Sequence, residues 1–152
     1  MASSDKADDG VFRLTASDVA AWAAMRRALF PEETVAEHSV EIGAILPDGR
    51  QAAFGARSGG EWVGFIEVGQ RSYAEGCSSS PVGYIEALWV AERARRRGVA
   101  RSLVESAKQW ARERGFSELA SDAQLANTVS HAAHRRMGFE ETERIVCFRM
   151  DL

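Results

Sequence analysis

Residues 95–100 read RRRGVA, three arginines running into a glycine that opens an apolar-periodic helix. A glycine between strand and helix lets the backbone pass close to a ligand, and a helix start offers unpaired N–H groups and a positive dipole end to an anion. This is chemistry for holding a pyrophosphate. A second chemistry is carried by carboxylates. Glu86 interrupts the otherwise apolar run VGYIEALWV, where an unpaired buried charge is costly, so it needs a partner or a ligand. Asp122 follows a short strand-like segment, at the carboxyl end where α/β sheets hold ligands; a loop carboxylate or Asx-turn is its plainer use. Glu143 lies two residues past Glu141, where a last hairpin would begin, and an isolated surface glutamate is the other reading. Together these acids can surround a polyamine.

The elements that must position these groups follow from periodicity. Residues 11–14 alternate as a short strand, and Ser17-Asp18 can cap a helix carrying Val19, Trp22, Ala23, Met25, Arg26, Leu29 and Phe30 until Pro31 ends it. A weaker helical pattern covers 32–46 before the Pro47-Asp48-Gly49 turn. Residues 51–57, 61–71 and 82–90 read as three strands of an antiparallel meander. The Gly98 helix runs to about Arg114, followed by a strand at 118–121, a helix at 127–137 and a closing strand at 143–150. Strands first, then helix, strand, helix and strand imply a mixed α/β (α+β) sheet, antiparallel first, with a βαβ crossover through the Gly98 helix.

The 152 residues, 45% hydrophobic, fit one domain over 11–152 behind a polar, frayed lead-in at 1–10. A formal net charge of -3 gives no global basic field, so nucleic acid is not an expected partner; the positive charge clusters around Arg93 to Arg101 and suits a compact anion. Cys77 and Cys147 fit neither a disulfide framework nor a metal-ligand spacing, so no metal is expected and two reduced thiols are. With no leader pattern and no run long enough to span a bilayer, the expectation is a soluble, cytoplasmic protein without a membrane partner.

The RRRGVA loop between strand and helix, Asn127 downstream and Met137-Gly138-Phe139 together resemble the GNAT superfamily of acyl-CoA-dependent N-acetyltransferases. Arg95, Gly98 and Ala100 fill that family's Q/R-x-x-G-x-G/A pattern. The resemblance implies a bent mixed sheet with about four helices, whose fourth and fifth strands splay apart to admit acetyl-CoA. The amides of Arg96, Arg97, Gly98, Val99, Ala100 and Arg101 would surround its pyrophosphate, while Leu88, Trp89 and Val90 pair through their backbone with the pantetheine arm as with an added strand. Asn127 would contact the cofactor arm, cap the last helix, or both.

A narrower resemblance covers roughly residues 12–148. SPVGYIEALWV, Ala-Ser-Asp-Ala with Asn127 five residues past Asp122, and GFEETER from Gly138 are similar to the bacterial aminoglycoside 6'-N-acetyltransferases. It implies acetyl transfer to the 6'-amine of a cationic aminoglycoside, hence antibiotic resistance, with Glu86, Asp122 and Glu143 as substrate contacts. Two aromatics join them. Phe30 stands where the family has a tryptophan, keeping ring stacking but losing the indole N–H, with core packing as its competing use; Tyr73 lies on the loop after the third strand.

A protonated amine cannot attack a thioester, so a base must take its proton: Asp122 is the first choice, and Glu86 through water the second. The thioester is already activated, which makes direct transfer in a ternary complex sufficient without an enzyme nucleophile. Where many family members carry a tyrosine that protonates the departing thiolate, this chain has His134, either a proton donor or a helix-surface or packing residue. Another small amine, a polyamine or a protein N-terminus is the alternative substrate, and an acyl-CoA-binding regulator without turnover is a third reading. Related enzymes are often dimers, so a homodimer is expected, with apolar residues of the later strands as its interface.

Overall fold

The computed structural model describes residues 9–152; residues 1–8 of the expected lead-in lie outside them. The last two lead-in positions belong to the fold rather than fraying. Asp9 Oδ1 accepts the N–H of Gly59 at 2.7 Å, and Gly10 begins β1 (Gly10–Arg13). After a short 3-10 turn come α1 (Val19–Leu29) and α2 (Val35–Ile45). The second helix starts later than periodicity predicts because Thr34 and Glu37 form a reciprocal capping box there, each satisfying the other's backbone N–H. The meander β2 (Gln51–Ser58), β3 (Glu61–Arg71) and β4 (Val82–Val90) matches expectation, and is followed by α3 (Val99–Glu113), β5 (Leu119–Ala120) and α4 (Thr128–Arg136).

The sheet runs β1-β2-β3-β4-β5, antiparallel through β4 and parallel between β4 and β5. It is packed on both faces. Leu103, Val104, Ala107, Trp110 and Ala111 recur along one side of α3 and are buried against Ala52, Ile66, Val68 and Ile85. The opposite face buries Trp22, Ala23 and Met25 of α1 and Ile42 of α2 against Ala53, Phe65 and Ala87. Each fully buried large apolar side chain contributes roughly 1.5–3 kcal/mol, so the two layers fix the sheet.

A polar network crosses the second layer. Glu67 of β3 is 6% exposed and accepts the Trp22 indole N–H at 2.8 Å and the Arg26 guanidinium at 2.9 and 3.1 Å. Burial pushes the Glu67 carboxyl up, against the pull of Arg26. Arg26 also reaches Glu41 and donates through Nε to His38 Nδ1 at 3.3 Å. The same Nδ1 lies 3.2 Å from Glu33 Oε2, and His38 Nε2 lies 3.1 Å from the Phe30 carbonyl oxygen. Every group is partnered, and the network ties α1 and α2 to the sheet.

The closing strand expected at 143–150 is absent from the sheet. From Glu140 to Leu152 the chain is exposed and makes no backbone-to-backbone hydrogen bond within the described residues. Its apolar alternation is that of a strand, but among the described residues no neighbouring strand pairs with it.

Candidate active site

The loop before α3 has the backbone the arginines and glycine imply. Arg96 (φ 62°) and Gly98 (φ 79°) are left-handed on either side of Arg97, an alternation that turns successive N–H groups toward one side. Gly98 caps α3 without a side chain, and the N–H groups of Arg96 to Arg101 find no backbone acceptor in the described residues. Six orphan donors at a helix N-terminus fit a pyrophosphate. The side chains play a separate part. Arg95 Nε donates to the Val90 carbonyl at 3.1 Å, Arg93 pairs with Glu61 at 2.9 Å, and Arg101 donates to the Arg136 carbonyl at 2.7 Å. These bonds fix the loop to β3, β4 and α4.

Beside the loop the sheet opens. β5 pairs with β4 only at Gly83–Leu119 and Tyr84–Ala120, so beyond Tyr84 the edge of β4 facing β5 is free while its other edge stays on β3. Leu88, Trp89 and Val90 lie half-buried on that free edge. In β4, Val68 pairs with Ile85 and Glu67 with Ala87, which makes Glu86 an additional residue, a β-bulge. The bulge explains why Ile85 and Ala87, two apart, feed opposite core layers.

Glu86 has the partner that its place in an apolar run demands. It is exposed at the bulge and accepts both arms of Arg71, at 2.8 and 2.7 Å. The Arg71 guanidinium lies over the Tyr84 ring, 3.5 Å from its centroid, and the Tyr84 hydroxyl donates to Asp122 Oδ2 at 2.8 Å. Burial, then the Asp122 carboxylate, push the Tyr84 phenol well up, so it stays protonated and Asp122 stays the acceptor. The two predicted acids thus flank one Arg71–Tyr84 stack.

Asp122, Tyr84, His134 and Glu143 line one cavity of about 710 Å³, set between β5, α4, the loop at 74–77 and the chain at 138–145. Of its acids, Glu141 is neutralised by Arg135 at 2.6 Å and Arg144 at 2.5 Å, and Glu118 accepts the N–H groups of Ser78 and Ser79. Glu75, Asp122, Glu140 and Glu143 have no cationic partner among the described residues. The cavity therefore favours a cation.

His134 stands in this wall with both nitrogens occupied. Nδ1 is 2.8 Å from the Ser130 carbonyl and so carries the hydrogen, which leaves Nε2 to accept the Ser121 hydroxyl at 2.9 Å. Its ring meets Phe139 edge-on at 5.3 Å. Asn127 caps α4, its side chain accepting the Ser130 N–H at 3.1 Å. Phe30, 37% exposed at the end of α1, belongs to neither core layer. Tyr73 is exposed on the loop after β3, and neither aromatic lines the cavity. Sequence reasoning missed Arg71, Tyr84 and Ser121. The signal for Arg71 was the demand of Glu86 for a partner; nothing local marks the other two.

Residues 19–139 match the Acetyltransferase (GNAT) family. A protein of Serratia marcescens named aminoglycoside N(6')-acetyltransferase type 1 is 45% identical over 134 residues, 87% of this chain and 92% of its own. One of Klebsiella aerogenes with the same name is 43% identical over 140 residues, 90% and 92% respectively. The solved structure of AAC(6')-Iy in complex with the bisubstrate analog CoA-S-monomethyl-acetylneamine superposes with a TM-score of 0.91 at 32% identity, covering 95% of this chain and 99% of that one. Orphan amides, a free strand edge and an acidic cavity thus occur in a chain that belongs to the GNAT acetyltransferases, among the aminoglycoside N(6')-acetyltransferases.

Proposed function

We propose that this chain transfers the acetyl group of acetyl-CoA directly to the 6'-amino group of an aminoglycoside, and so confers resistance to drugs of that class. The observation that carries the reading is the splay of β4 from β5, which sets an open backbone edge and six unbonded loop amides beside carboxylates that lack cations. The amides of Arg96, Arg97, Gly98, Val99, Ala100 and Arg101 hold the pyrophosphate, and the backbone of Leu88, Trp89 and Val90 holds the pantetheine arm. Asn127, whose side-chain oxygen is taken by the cap, offers its amino group to the same arm.

On the amine side, Asp122 and Glu143 attract the ammonium groups of the drug, and Glu86 adds charge through its exposed face. Asp122 takes the proton from the attacking amine, directly or through water. The Arg71 fork occupies both Glu86 oxygens, which favours Asp122 over Glu86 as base. Phe30 and Tyr73 supply exposed rings for stacking on sugars. His134 serves the cavity wall rather than the departing thiolate: its Nδ1–H is held by the Ser130 carbonyl and its Nε2 accepts the Ser121 hydroxyl, so the thiolate leaves without a proton from it. The enzyme works in the cytoplasm as a homodimer.

Purified protein incubated with acetyl-CoA and tobramycin should release thiol well above background. Folded protein with no release, or with kcat/KM for a polyamine or peptide amine orders of magnitude above every aminoglycoside, would overturn the reading.

A further inference from the structure

Acetyl transfer as outlined above gives Tyr84 no part, although Tyr84 lines the same cavity as Asp122. Tyr84 is 3% exposed, and with Ala120 it makes the last pair of the β4–β5 ladder before the strands part. Two residues past Ala120 stands Asp122, already outside the sheet, and the Tyr84 hydroxyl donates to its Oδ2 at 2.8 Å. One tyrosine thus holds, through its backbone, the strand that delivers Asp122 and, through its side chain, the carboxylate itself.

An aspartate on an irregular segment has three staggered χ1 wells and a broad χ2, so its carboxylate turns freely unless something selects one orientation. Among the described residues the Asp122 carboxylate has no hydrogen-bond partner besides this phenol. The bond occupies Oδ2 and leaves Oδ1 without a protein partner, in a residue that lines the cavity.

The donor is itself held in place. Arg71, the last residue of β3, lays its guanidinium 3.5 Å from the Tyr84 ring centroid. Its Nε and Nη2 are both bound to Glu86, so it cannot leave the ring without breaking a bidentate pair. Tyr84 stands opposite Gly69 across the strand pair, which leaves the guanidinium room over the ring. The ring also packs with the buried Ala74 and Val82. Burial and then the bond to Asp122 keep the phenol protonated; against them the Arg71 charge draws on the ring and strengthens the O–H as a donor.

We propose that Tyr84 is a positioning residue for acetyl transfer: its hydroxyl, fixed by the Arg71 stack, locks one oxygen of Asp122 and presents the other to the attacking amine. This rests on the reading of Asp122 as the base. Proton transfer needs its partners within hydrogen-bond reach at the moment of attack, and a carboxylate that turns away loses that reach. Tyr84 itself touches no reacting atom; it acts through Asp122.

Tyr84→Phe removes the hydroxyl and keeps the ring, its packing and the Arg71 stack. With tobramycin as the amine, kcat should fall roughly tenfold while the KM for acetyl-CoA and the Tm stay close to wild type. Added to Asp122→Asn, the same change should lower kcat by less than about twofold further, since its route to the reaction is already gone. Crystal structures should show the Asp122 carboxylate in one rotamer in the wild type and in two or more in Tyr84→Phe. Arg71→Lys keeps a cation for Glu86 but no flat guanidinium for the ring, so it should lose part of the kcat in the same direction.

A wild-type kcat in Tyr84→Phe, a full tenfold loss persisting on Asp122→Asn, or a single unmoved Asp122 rotamer without the hydroxyl would each overturn the positioning. Asp122→Asn with wild-type kcat would overturn the base and the positioning with it, whereas a crippled Asp122→Asn beside an unaffected Tyr84→Phe would overturn the positioning alone. The rotamer comparison needs no turnover, so it tests the lock on Asp122 whichever amine the enzyme accepts.

Discussion

Asp122 is held by one hydrogen bond from a phenol that does not ionise, and no guanidinium reaches it in the described residues. A carboxylate so placed has its second oxygen free to take a proton. Asp122→Asn preserves size and the Tyr84 bond while removing the base, so kcat should fall by about 10²- to 10⁴-fold with the KM for acetyl-CoA little changed. Steady-state kinetics across pH decides this: a variant that keeps wild-type kcat and its basic limb would remove Asp122 from the chemistry. The neighbouring pair was partly legible beforehand. A glutamate in an apolar strand demands a partner, but that the partner is Arg71, fifteen residues back across the antiparallel pair, depends on register and on a bulge.

At the level of elements, the loop before α3 and the α1–α2 layer do different work. Gly98 meets nothing where a Cβ would stand, so Gly98→Ala leaves packing intact and costs about 1–2 kcal/mol through its left-handed backbone alone. The added methyl points into the anion cradle or tilts its amides. CoA affinity by calorimetry should drop at least tenfold while the urea midpoint moves only slightly; wild-type affinity would refute the cradle. In the other layer, Arg26→Ala leaves Glu67 buried and unpaired, which should cost about 3–5 kcal/mol in urea unfolding. A loss under 1 kcal/mol would show that the pair contributes little to stability. The strands β3 and β4 and the helix α3 were legible because core periodicity and flanking glycines are local signals. The bulge was not, since one extra residue leaves an apolar run looking unbroken.

At the scale of the whole molecule, the last segment stands outside the sheet. Residues 143–150 have the sequence of a strand, and that much is local; that no strand of the described residues pairs with them is not. The root of that segment is acid-sensitive. Arg144 and Arg135 hold the Glu141 carboxyl at about 2, below its ordinary 4.5, so its contribution is complete above pH 4.5 and is lost as the pH falls toward 2. Thermal melts should therefore show Tm dropping through that window, and Glu141→Gln should make the drop shallower while lowering Tm at pH 7. An identical acid profile in the variant would discharge Glu141 from that role.

The bulge at Glu86 sets a rule of parity for everything beyond it. Ile85 and Ala87 reach opposite layers only because one residue is added between them, and Leu88 and Val90 follow the layer of Ile85 while Trp89 follows Ala87. Exchanging the side chain of Glu86 alters a charge; losing its single codon would turn the rest of β4 inside out. A gene with that three-base deletion should lose the fold along with the activity.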